Sequence, residues 1–126
     1  MKKILLILAC VLGITCCSHR EIAYPTTQNG TFRPNTSRIQ AQNILYEACT
    51  KAGWQVLSKG NSQYKINYNH HGYEFTALIK YTTTNYSILF NRVNHDKGNI
   101  HVAYAVYEDN AAKLNRVIQK YSAKTR

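Results

Sequence analysis

From Tyr64 to Phe90 apolar and polar side chains alternate with period two, broken only by short polar turns, and that pattern restricts the possible folds more than anything else in the chain. Tyr64, Ile66 and Tyr68 alternate with Gln63, Lys65 and Asn67. Tyr73, Phe75, Ala77, Ile79 and Tyr81 share one parity against Glu74, Thr76 and Lys80, with Leu78 interrupting, and Tyr86, Ile88 and Phe90 alternate with Ser87, Leu89 and Asn91. Gly60-Asn61-Ser62, Asn69-His70-His71-Gly72 and Thr82-Thr83-Thr84-Asn85 supply turns, and Trp54 and Val56 open the pattern. Successive side chains of a strand point to opposite faces, so the run predicts an antiparallel meander of three to four strands with one apolar face. That face needs a cover.

Two helical segments supply it. Ser37-Arg38-Ile39-Gln40 has capping-box spacing, and behind it Ala41, Ile44, Leu45, Ala48, Cys49 and Ala52 fall on one stripe that ends at Gly53. Near the C-terminus Tyr107, Ala111, Leu114, Ile118 and Tyr121 recur at helical spacing, with Lys113, Arg116, Lys120 and Lys124 as a basic stripe opposite. The fold expected is α+β in two layers: a meander of three to four strands with an N-terminal and a C-terminal helix packed on one face. Its core is expected to hold Ile44, Leu45, Ala48, Trp54, Val56, Ile66, Phe75, Ala77, Ile79, Ile88, Phe90, Leu114 and Ile118. Cys49, on an apolar helix face, reads as a small buried hydrophobe.

Ahead of this domain, expected over 37–126, the composition changes twice. Met1-Lys2-Lys3, an apolar run from Ile4 to Ile14 and then Thr15-Cys16-Cys17-Ser18 have the layout of an export signal over 1–16, too short for a membrane-spanning helix. The cysteine resembles the lipobox cysteine of bacterial lipoproteins. Cys17 is the expected acylation site and Cys16 the alternative, since cutting at Cys10 would leave too short an apolar region. Ser18 rather than Asp after Cys17 favours the outer membrane, facing the periplasm, by resemblance to the sorting habit of enteric bacteria. From 17 to 36, Pro25, Pro34, Gly30 and a cluster of Thr, Asn, Gln and Ser read as a flexible tether, in which Tyr24 or Phe32 is placed to dock on the domain.

The order of residues in the domain resembles small bacterial lipoproteins of uncharacterised function. They share a helix, a Gly-Trp pair like Gly53-Trp54, a hairpin turn like His71-Gly72, strands like Ala77-Leu78-Ile79-Lys80-Tyr81 and Tyr86-Ser87-Ile88-Leu89-Phe90, and a last helix with Tyr107, Leu114 and Ile118. The usual Asn and Trp after that tyrosine are replaced by Glu108 and Asn110. The resemblance implies fold and compartment and brings no catalytic residue with it.

The full chain carries 16 Lys and Arg against 6 Asp and Glu. Removal of the signal takes Lys2 and Lys3 with it and leaves a net of about +8 on the mature chain. With so few acids a paired-carboxylate site has little material, and His70-His71 lacks the spacing of a metal site. His95-Asp96 and His101 fall in the loop before the last helix and offer a small envelope hydrolase its only candidates. No cofactor is expected. Export and the placement of tyrosines on the apolar face argue against nucleic acid, despite the charge. The expected function is a lipid-anchored envelope module that binds or assembles without catalysis. The alternative partner is a polyanion, anionic lipid or lipopolysaccharide, held by Lys113, Arg116, Lys120 and Lys124.

Overall fold

The computed structural model describes residues 20–95 and 98–124; Cys16, Cys17 and Asp96, with the signal, lie outside the described residues. The architecture is α+β, a five-stranded antiparallel sheet in the order β1-β5-β4-β3-β2 with both helices against its apolar face. The elements are β1 (Gln28–Thr31), α1 (Arg38–Lys51), β2 (Gln55–Lys59), β3 (Gln63–His70), β4 (Tyr73–Tyr81), β5 (Asn85–His95) and α2 (Ile100–Lys124).

The ends of α1 follow from its sequence. Ser37 Oγ accepts from the Gln40 amide at 3.1 Å while Gln40 Oε1 accepts from the Ser37 amide at 2.8 Å, so the capping box closes. At the other end Gly53 turns left-handed (φ 91°), and the Gly53 and Trp54 amides donate to the carbonyls of Thr50 and Cys49 at 3.1 and 2.8 Å. This pair of hydrogen bonds closes the helix and swings Trp54 into the core, where it is 2 % exposed.

In the sheet, β3 and β4 are joined by the two residues His71 and Gly72, both at positive φ (46° and 89°), the geometry whose twist matches paired strands. Asn69 and His70, read from the sequence as turn residues, pair with Glu74 and Tyr73 instead. On β5 the register jumps between Thr76 and Ala77 of β4, whose partners are Arg92 and Phe90. Asn91 is the extra residue. It shifts the parity, so that Val93 returns to the apolar side and the strand runs on to His95 rather than ending near Asn91. His95 therefore ends a strand and His101 lies in the first turn of α2; neither is in an open loop.

Eleven of the thirteen expected core residues are buried, and Val56 and Phe90 pack against them half-buried. Tyrosines extend the core beyond expectation: Tyr64, Tyr81, Tyr86 and Tyr107 are also buried. The hydroxyls of the first three find partners at its rim. Tyr64 donates to the Gln42 carbonyl, Tyr81 to the Gly60 carbonyl and Tyr86 to Asn115 Oδ1. Burying a tyrosine ring with its hydroxyl bonded gains the apolar area without an orphaned donor.

The segment read as a flexible tether is the main correction. Gln28–Thr31 is the fifth strand, paired with β5 from Gln28↔Ile88 to Thr31↔Asn85, and Phe32 is buried on the Tyr86 ring at a centroid distance of 5.2 Å. Tyr24 also docks, edge-on to Phe90 and Tyr104, while staying largely exposed. Gly30 makes the close approach possible, because a Cβ there would collide with the Tyr86 hydroxyl. The backbone of this polar stretch is answered by α2. Ile22 meets His101, Thr26 meets Glu108, Asn29 meets Asn115, Thr31 meets Gln119 and Arg33 meets Ser122, each through a hydrogen bond. From Ile22 to Arg33 the contacts advance together along both segments, so this stretch is a strap parallel to α2, and the Arg20 side chain at its N-terminal end reaches forward to Glu108 and Asp109. The two segments agree in length, since about 11 extended steps and about 21 helical ones each cover about 32–36 Å.

Candidate functional site

The basic stripe forms as its spacing requires. Ala111, Leu114 and Ile118 bury the seam of α2, and Lys113, Arg116, Lys120 and Lys124 all stand exposed on the other side of the helix. The Lys124 ammonium lies 5.9 Å from the centre of the Tyr121 ring. Among the described residues none of the four has a carboxylate within ion-pair distance; the two ion pairs there both belong to Arg20.

Arg20 occupies the acids of α2. Its Nη2 lies 2.6 Å from Asp109 Oδ1 and its Nη1 3.4 Å from Glu108 Oε1, and Glu108 Oε2 also accepts from the Thr26 amide at 3.0 Å and its hydroxyl at 2.7 Å. Partial burial alone would raise the Glu108 carboxyl, but the Thr26 hydrogen bonds and the Arg20 guanidinium outweigh it and hold the group below its ordinary value of 4.5. A depressed carboxylate contributes attachment above its unfolded pKa and loses it as pH falls through the folded one. The Thr26 amide is therefore expected to lose hydrogen-exchange protection below about pH 4.5, ahead of the core amides of β4. Equal loss in both places would refute the carboxylate clamp.

The histidines considered for metal or hydrolytic chemistry are only partly brought together. The positive φ at His71 turns its ring toward His70, with centroids 4.1 Å apart, and His70 is pushed below its usual range by burial and then by the His71 charge. No group of three or more His, Cys, Asp or Glu that could hold a metal occurs among the described residues. His101 Nδ1 is engaged with the Ile22 carbonyl at 3.0 Å, which ties the strap to the first turn of α2. Cys49 is fully buried, and burial pushes its thiol up to about 12, so it carries almost no thiolate at neutral pH. Four surface grooves of about 300 to 460 Å³ include a single carboxylate, Glu47, and no histidine in their walls.

The other surface without a cover is the outer face of the sheet. Glu74 accepts from Asn67 Nδ2 at 3.2 Å and from Asn94 Nδ2 at 3.3 Å, and Asn94 Oδ1 accepts from Arg92 at 3.0 Å, so a polar ladder crosses β3, β4 and β5. Leu78 and Leu89 pair beside it, half-buried. The ladder was invisible in sequence because its members are adjacent only across strands. Among the described residues no helix is long and apolar enough to cross a membrane. No family model matches the chain, and no curated protein matches it.

Proposed function

We propose that this protein is a lipid-anchored module of the bacterial cell envelope, exported by its N-terminal signal, acylated at Cys17 or Cys16, and working by binding or assembly without catalysis. The observation that carries the reading is the signal itself: a basic start, an apolar run that stops sharply, and a cysteine pair ahead of the domain. The folded part is consistent with such a role, since it presents a polar ladder on the sheet and an exposed basic stripe on α2.

The test is the intact mass and N-terminal residue of the protein taken from the membranes of its native host. A chain starting at Cys17 or Cys16 with added acyl mass is expected, and replacing both cysteines with serine should move the protein into the soluble fraction. An unmodified N-terminus on membrane-bound protein would end the proposal.

A second reading is favoured by the four exposed cations that no carboxylate among the described residues answers: a polyanion, anionic lipid or lipopolysaccharide, held along α2. Under it, reversing Lys113, Arg116, Lys120 and Lys124 to glutamate abolishes binding to anionic vesicles at low salt.

A further inference from the structure

The strap decides where an acylated cysteine would sit. Arg20 heads it, and its guanidinium lies against α2 at Asp109, Glu108 and the Ala105 carbonyl, at 2.6, 3.4 and 3.4 Å. From Asp109 the residues Lys113, Arg116, Lys120 and Lys124 follow at steps of four, three, four and four. Such steps keep to one side of a helix, so Arg20 is fastened at the head of the basic stripe. Only Ser18 and His19 separate Arg20 from Cys17. Each trans peptide advances 3.8 Å, so the acylated residue lies within about 11 Å of the Arg20 Cα, or about 15 Å if Cys16 carries the lipid, and the arginine side chain spans from there to the head of the stripe.

Given the acylation proposed above, on which this rests, we infer that α2 lies along the membrane that holds the lipid, with Lys113, Arg116, Lys120 and Lys124 against the anionic headgroups of the same leaflet. A lipid that enters the bilayer near the head of the stripe holds its first cations close to the headgroups, and attraction over about a Debye length, near 8 Å at physiological salt, then lays the helix down. The charges agree with this placement. Arg20 answers both acids of α2, and beyond them the helix presents cations alone over about 17 Å. One acyl cluster and one basic patch are the two signals that together hold a protein durably on a bilayer, and here one helix face would carry both. The polar ladder on the outer face of the sheet is then left free for a partner.

The full acylated protein, reconstituted in vesicles with or without phosphatidylglycerol, can be treated with a water-soluble amine reagent and read by mass spectrometry. Lys113 and Lys120 are expected to react about tenfold more slowly on the anionic vesicles, while Lys65 and Lys80 on the open sheet face react equally on both. Co-flotation and acyl mass are recorded on the same sample. If the protein carries lipid and floats but Lys113 and Lys120 react as freely as Lys65, the orientation is wrong and the anchor stands. If it carries no lipid, the anchor fails and the orientation falls with it. The variant Arg20→Ser should float unchanged yet lose most of the protection at Lys113 and Lys120. Persisting protection would overturn the part assigned to the strap.

Discussion

Replacing Phe32 with alanine is expected to destabilise the protein by about 3–5 kcal/mol, a large share of what holds a domain of this size together. Phe32 lies outside the meander and both helices, in a stretch whose composition suggests disorder, yet it is 5 % exposed against Tyr86. Its amide donates to the Thr84 carbonyl at 2.8 Å, so the side chain is held from the backbone as well. Urea unfolding of the full chain in detergent measures the effect as a lower midpoint at constant slope. Were the segment a tether, the change would be that of an exposed residue, within about 0.5 kcal/mol. Neighbouring Pro34, exposed just beyond the strap, serves as the internal control, and its alanine variant should stay within that smaller range.

Tyr107 should show a split between two substitutions at one site. It is fully buried where the rings of Phe90, Phe75 and Trp54 converge, at centroid distances of 4.9, 5.9 and 6.2 Å. Tyr107→Ala opens a cavity at that junction and is expected to cost about 3–5 kcal/mol. Tyr107→Phe keeps the ring and removes a hydroxyl that finds no hydrogen-bond partner among the described residues, so it should be neutral or stabilise by up to about 1 kcal/mol. Burial also drives the phenol far above its usual range, so it stays neutral around neutral pH. A Tyr107→Phe variant markedly less stable than the parent would mean that the hydroxyl is bonded in solution, with a buried water the natural partner.

These residues show what a sequence read alone discloses here. The alternation from Tyr64 to Phe90, the capping box at Ser37 and the seam through Leu114 are local patterns with fixed periods, and each formed as its period required. The strap was illegible for the opposite reason. Its fastenings join residues about eighty to ninety positions apart, such as Arg20 with Asp109 and Arg33 with Ser122. Each uses a polar side chain that would serve equally well in water. Only Tyr24 and Phe32 hinted at docking, and isolated aromatics have no period to read. For the candidate site the balance is similar. The four cations of α2 could be read from their spacing, whereas the neutralised acids at the head of the stripe depended on Arg20 arriving from the far end of the chain.

Both borders of the sheet are closed to further strands. On β2 the register with β3 slips between Val56 and Ser58, which leaves Leu57 out of the ladder on a strand of five residues ending in Lys59. On β1, the Asn29 and Thr31 carbonyls already accept from Asn115 and Gln119 of α2. An unprotected border is a template for the next molecule, and proteins confined to a surface meet one another far more often than in free solution. Anchored as proposed, many copies could therefore be crowded on one membrane without their sheets stitching into fibres.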